Sequence, residues 1–83
     1  MNKKNISKEE VNKKEKLLIE LLVKIRKEKK LSQEKVAKLS GLTQQSISRL
    51  ETLNTKPNLS NLIKYMYALD LDLEECILHF HKS

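Results

Sequence analysis

Apolar residues recur at helical spacing along most of this chain, in five runs separated by short polar turns. The first run predicts a helix with one main apolar stripe, formed by Val11, Leu18, Leu22 and Ile25. Leu17 and Leu21 lie off that stripe and indicate a second apolar contact. The pattern therefore predicts an all-α chain of five helices, without strands.

Capping side chains mark where the predicted helices begin. Ser7 and Glu10 have the spacing of a capping box, so we expect the first helix to start near Lys8 and to end near residues 29–30. Gly41, the only glycine, lies where the second helix must reverse and where a positive φ is needed. The N-caps of the four later helices are predicted to be Ser32, Thr43, Asn58 and Asp72.

The third predicted helix, from Thr43 to about Thr52, has two contrasting faces. Ile47 and Leu50 point to one side. Hydrogen-bonding side chains occupy the rest of its surface, namely Gln44, Gln45, Ser48 and Arg49. A helix-turn-helix needs this division, because one face packs on the preceding helix while the other meets base edges in the major groove. Glutamine pairs well with adenine, and arginine with guanine.

Several short matches follow one another here in uninterrupted order. They are Ile25–Arg26-Lys27-Glu28-Lys29, Leu31-Ser32-Gln33, Val36-Ala37, Gly41-Leu42-Thr43, Ile47-Ser48-Arg49-Leu50-Glu51, Pro57, Leu59, Leu62, Ala68-Leu69 and Leu73. Over residues 18–73 the chain resembles the Cro/CI-type (XRE-like) helix-turn-helix family, and residues 43–51 resemble the recognition helix of lambdoid phage repressors. The resemblance implies a single five-helix domain of the lambda-repressor-like type that binds double-stranded operator DNA.

Two further sets of residues complete the predicted site. Backbone phosphates are expected to meet Gln33, Thr43, Asn54 and Lys56. The presence of Gln33 is also explained without a phosphate contact of its side chain, by its place in the first turn of the second helix. The resemblance implies in addition that Arg26 and Glu51 form an ion pair between the first helix and the end of the third.

The chain departs from the family at three positions where glycine is common, Lys30, Leu53 and Asp70. We expect these helix ends to be reshaped, with Asn54 as the left-handed residue of the loop after the third helix. Tyr65 and Met66 are bulkier than the residues usual in the fourth helix of the family.

Charge and composition agree with a nucleic-acid partner. The 83 residues carry a formal net charge of +6, concentrated in the first two thirds of the chain. The most apolar run, residues 17–23, is too short for a membrane span, and the single Cys76 allows no internal disulfide. We therefore expect a cytoplasmic protein, with residues 1–16 as a basic extension or the start of the first helix and residues 17–83 as the DNA-binding domain.

The predicted fifth helix carries more apolar surface than a terminal helix on so small a core can hide. We expect a symmetric homodimer formed largely through it, with Leu73, Ile77, Leu78 and Phe80 at the interface. The alternative is that Ile77 and Phe80 simply close the core of the monomer.

Catalytic and metal-binding patterns are weak in this sequence. No glycine-rich phosphate loop or nucleophilic triad is evident, so we expect neither an enzyme nor a cofactor. His79 and His81 would face apart on a helix, and Cys76 adds only a third ligand, so no metal site is predicted.

Two functions remain open at this point. One is an autonomous transcription regulator, such as a phage-type repressor or the controller of a restriction–modification operon. The other is an antitoxin that binds a toxin protein and represses its own operon. The segment available for a toxin would be residues 1–16, together with the Leu17 and Leu21 edge.

Overall fold

The computed structural model describes residues 5–71, and within that range the chain forms four α-helices and no strand. They are α1 (Lys8–Glu28), α2 (Gln33–Ser40), α3 (Gln44–Thr52) and α4 (Leu59–Ala68). The all-α prediction is confirmed over these residues. The predicted fifth helix, which would open at Asp72, lies outside them.

Each of the four helices begins at the predicted cap. Ser7 accepts a hydrogen bond from the backbone N–H of Glu10, whose carboxylate accepts from the backbone of Ser7, so the capping box is confirmed. Ser32, Thr43 and Asn58 likewise accept from the third residue of α2, α3 and α4. These short-range bonds satisfy N–H groups that have no partner inside a helix.

Within residues 5–71, four residues adopt the left-handed backbone conformation, and three of them are not glycine. Gly41 ends α2 with φ 79°, as predicted. Lys30, Leu53 and Asp70 have φ values of 60°, 56° and 61°. The expected reshaping of these helix ends is therefore wrong, because the left-handed turn is kept in spite of the side chain. The assignment of Asn54 is also wrong, since Leu53 holds that conformation.

Substitutions at two of the left-handed residues, Gly41 and Lys30, should change the free energy of unfolding in opposite directions. Gly41→Ala should lower the free energy of unfolding by about 1 kcal/mol, because an added Cβ meets no atom within 4 Å and only the backbone strain acts. Lys30→Gly should raise it by up to about 1 kcal/mol by removing the same strain. Urea unfolding measures both. Lys29→Gly is the matched control, because Lys29 has an ordinary φ of −81°, and it should destabilise. Equal losses for both lysine variants would contradict this account.

The face that α1 buries differs from the predicted stripe. Ile19, Leu22 and Arg26 are the buried residues, whereas Leu18 is 41% exposed. Of the predicted stripe, Leu22 is buried and Val11 and Ile25 are half-buried, so the prediction is confirmed at Leu22 and wrong at Leu18. The second apolar contact expected at Leu17 and Leu21 is not made within the described part of the chain, where both are exposed.

The core lies where α2, α3 and α4 meet the inner face of α1. Four side chains there are almost completely buried: Val36, Ile47, Tyr65 and Leu69. The apolar residues of α4 are not all buried, because Leu59 and Ile63 are 71% and 40% exposed while Tyr65 takes the inward position. The exposed pair stands i, i+4 on the outer side of the helix.

None of the helices found within residues 5–71 is both long enough and apolar enough to cross a membrane.

Candidate nucleic-acid interface

The helix α3 turns its apolar side inward and its polar side to solvent. Ile47 has no exposed surface and Leu50 is 4% exposed, and both belong to the core. The opposite side, which we call the polar face of α3, is formed by Gln44, Gln45, Ser48 and Arg49. Three of these are exposed, and Ser48 is half-buried. The structure thus brings the predicted base-contacting residues together on one accessible surface.

The end of α3 is held by three side chains that surround the carboxylate of Glu51. We call these four residues the Glu51 cluster: Arg26, Gln33, Glu51 and Tyr65. Arg26 donates to both oxygens of Glu51, with Nε–Oε2 2.6 Å and Nη2–Oε1 3.1 Å. Gln33 Nε2 donates to Oε1 at 2.8 Å, and the hydroxyl of Tyr65 donates to Oε2 at 2.6 Å. These bonds join all four helices of the described chain.

The Glu51 cluster keeps its charges although it is buried. Burial is the strongest influence on Glu51 and opposes its charge, but hydrogen bonds from Arg26, Tyr65 and Gln33 together lower its pKa. The same holds for Arg26, where burial is outweighed by Glu51 and the pKa rises. For Tyr65, burial and then Glu51 raise the pKa of the phenol, which therefore stays protonated and donates.

Two members of this cluster have roles that the sequence did not indicate. Gln33 was expected at a phosphate, but its side-chain amide is directed to Glu51. The sequence distinguishes Tyr65 only by its size. A tyrosine in the apolar series of α4 does carry a signal, because a buried hydroxyl needs a hydrogen-bond partner. The cluster also extends to the backbone, since Arg26 Nη1 donates to the carbonyl of Leu31 at 2.7 Å.

The other predicted phosphate contacts lie around α3. Thr43 caps the helix, and its hydroxyl donates to Ser46 Oγ at 2.9 Å. Asn54 is exposed, and its backbone N–H donates to the carbonyl of Arg49 at 3.1 Å. Lys56 forms an ion pair with Glu15 of α1 at 3.1 Å, and its side chain remains 66% exposed.

A shallow hollow of about 170 Å³ lies beside the polar face of α3. Arg49 and Lys56 line it from α3 and from the following loop, and Asn58 and Asn61 line it from the start of α4. Two cations that are 7 positions apart in the sequence thus border one concave surface. Their shared charge favours an anionic ligand there.

The described residues contain no group of three His, Cys, Asp or Glu side chains suited to one ion. The remaining candidates, Cys76, His79 and His81, lie outside residues 5–71. The predicted dimer residues Leu73, Ile77, Leu78 and Phe80 also lie outside that range.

The comparison with known families agrees with this geometry. The family described as helix-turn-helix matches residues 22–76, about two thirds of the chain. No curated protein and no solved structure gives a significant match. The matched family consists of DNA-binding regulatory domains rather than enzymes, and its match covers α2, the turn at Gly41, α3 and α4. The chain therefore belongs to the Cro/CI-type (XRE-like) helix-turn-helix family.

Proposed function

We propose that this protein is a sequence-specific transcription regulator of double-stranded DNA, which inserts the polar face of α3 into the major groove. The observation that carries this proposal is the arrangement of α3 itself. Its inner side is buried through Ile47 and Leu50, and its end is bonded to all the other described helices through Glu51. The outward side chains are thereby presented on a rigid support, which base reading requires.

The roles of individual residues follow from their donors and acceptors. Gln44 and Gln45 each offer a donor and an acceptor to adenine, and Arg49 offers a forked pair of donors to guanine. Ser48 assists between them. The phosphate contacts we assign to Thr43, Asn54, Lys56 and the first turn of α2, where the backbone N–H of Gln33 takes the place of its occupied side chain.

A useful operator needs two copies of the protein, because one recognition helix reads only a few base pairs. The outer side of α4 carries exposed apolar residues, which favours a dimer contact on that helix. Leu59, Ile63 and Tyr67 stand at i, i+4 and i+8 and are 71%, 40% and 78% exposed. We propose that this surface and the residues Leu73, Ile77, Leu78 and Phe80 form the contact between two copies on adjacent half-sites.

The base-reading assignment predicts a loss that depends on sequence. Once selection from random duplexes has supplied an operator, Gln45→Ala or Arg49→Ala should cost about 1–3 kcal/mol of binding and relax preference at particular base pairs. Fluorescence titration against operator and scrambled duplexes measures this loss, and its stoichiometry should be two chains per operator. If either variant loses affinity equally for both duplexes, that residue does not read bases.

Lys56→Ala is the control with a different expected signature. A lost phosphate contact weakens both duplexes alike and reduces the slope of log K against log salt by about one unit. Glu15→Gln removes the ion-pair partner of Lys56. It should therefore strengthen binding to both duplexes and increase the slope of log K against log salt. An unchanged slope in Lys56→Ala would remove this lysine from the proposed interface.

A further inference from the structure

Thr52 is the last residue of α3, and it continues the polar side of that helix by one turn. It stands four positions after Ser48 and seven after Gln45, a spacing that keeps the three residues on one side of a helix. Like Gln45, Thr52 is exposed. The side of α3 that carries the proposed base readers therefore does not end at Arg49.

The dimensions of α3 allow Thr52 to reach the same groove as these residues. Side chains three or four positions apart on a helix are separated by about 5–6 Å, so Thr52 lies at that distance from Ser48 and Arg49. Base pairs follow one another at about 3.4 Å, so this separation corresponds to one or two of them. The nine residues of α3 span about 14 Å, close to the width of the major groove, which is about 12 Å.

The hydroxyl of Thr52 is bound to the backbone of its own helix. Oγ1 donates to the carbonyl of Ser48 at 3.0 Å, and the carbonyl of Arg49 lies 3.4 Å from it. A threonine hydroxyl has one hydrogen to donate, whereas the phosphate oxygens of DNA can only accept. While this bond is kept, Thr52 therefore has no hydrogen available for a phosphate contact.

The methyl group of Thr52 is then the part of the side chain that can meet a base. In the major groove the C5 methyl group distinguishes thymine from cytosine, and the methyl of a threonine is suited to contact it. We propose that Thr52 reads a thymine of the operator through contact between the two methyl groups. This inference rests on the proposed function. It adds an apolar contact to the hydrogen bonds assigned to Gln44, Gln45 and Arg49.

The structure holds the methyl group of Thr52 in a defined position. The residue before it, Glu51, is bonded to three other helices, and the residue after it, Leu53, packs against the core. The bond to the carbonyl of Ser48 also restricts the rotamer of Thr52 itself. A contact between two methyl groups requires such support, because dispersion attraction weakens steeply as the atoms separate.

Replacement of single thymines by deoxyuridine in the selected operator tests this contact, because uracil lacks only the 5-methyl group. One thymine in each half-site should respond, one or two base pairs from the guanine assigned to Arg49. Its replacement should weaken binding of the full chain about fourfold, which corresponds to the burial of one methyl group. Fluorescence titration measures the change, and binding to a scrambled duplex is the reference.

Two substitutions separate the methyl group of Thr52 from its hydroxyl. Thr52→Ser keeps only the hydroxyl, so it should bind the thymine and deoxyuridine operators equally. Thr52→Val keeps the methyl group, so it should still prefer the thymine operator. Both variants should fold, because Thr52 is exposed and does not belong to the core. Thr55→Ser is the matched control in the following loop, where Thr55 is also exposed, and it should leave the preference unchanged.

Three results would overturn the role of Thr52 without affecting base reading by Gln45 and Arg49. The first is a selected operator that has no thymine at this place. The second is a Thr52→Ser variant that still prefers thymine to deoxyuridine there. The third is a Thr52→Val variant that loses affinity equally for operator and scrambled duplexes, which would assign the hydroxyl to a phosphate. If selection supplies no operator at all, the proposed function fails, and the role of Thr52 fails with it.

Discussion

Glu51→Ala is expected to lower the free energy of unfolding by about 3–5 kcal/mol, one of the two largest losses that the structure predicts. The substitution removes the countercharge of Arg26, whose side chain is only 10% exposed. It also leaves the hydroxyl of Tyr65 and the amide of Gln33 without their acceptor. Urea unfolding followed by circular dichroism measures the loss. A change below about 1 kcal/mol, the range of exposed ion pairs, would contradict the buried cluster.

A double substitution separates an unpaired charge from a lost attraction. Arg26→Met with Glu51→Leu removes both charges and should recover part of the stability, because a buried ion pair contributes little beyond an apolar pair of similar volume. If the double variant is as unstable as Glu51→Ala, the loss arises from packing instead.

The pH dependence identifies Glu51 independently. Its pKa is lower in the folded state, so its contribution to stability is present above the ordinary pKa of glutamate, about 4.3. That contribution is lost as the pH falls through the folded value. Glu51→Gln should therefore flatten the acid limb of the stability curve. An acid limb as steep as that of the unsubstituted protein would assign it to other carboxylates.

Ile47→Ala is the second substitution with a large expected effect, about 2–5 kcal/mol. Ile47 has no exposed surface and holds α3 against the core, so the shorter side chain leaves a cavity under α3. Thermal or urea unfolding measures the cost. Leu39→Ala is the matched control, because Leu39 is 54% exposed and should change stability by less than about 0.5 kcal/mol. Similar losses in both variants would mean that α3 is not anchored through Ile47.

Local signals were sufficient to predict where the helices begin and which sides of α3 are buried and exposed. The four caps, Ser7, Ser32, Thr43 and Asn58, bond within their own first turn, so their effect depends on residues three positions away. Gly41 likewise acts on its own backbone. The two faces of α3 could also be predicted, because its apolar and polar residues are cleanly separated by helical spacing.

The buried side of α1 could not be predicted in this way. Apolar residues surround much of that helix between residues 17 and 23, and periodicity alone does not choose among several acceptable stripes. Ile19 and Leu22 are chosen because they join the common core, and Arg26 because it pairs with Glu51 of α3. The same long-range packing leaves Leu17 and Leu21 at the surface.

The conformation of Leu53 and the Glu51 cluster depend on tertiary structure for related reasons. Asparagine tolerates a left-handed backbone better than leucine, but the position is set by where α3 ends, and Leu53 also packs against the core. Glu51 receives its three donors from α1, α2 and α4.

The sequence by itself determined the caps, the turn at Gly41 and the polar face of α3, because these depend on residues within one or two helical turns. Only the tertiary structure decided which surface is buried and which donors meet at Glu51, because burial and hydrogen bonding there join residues 14 to 25 positions apart.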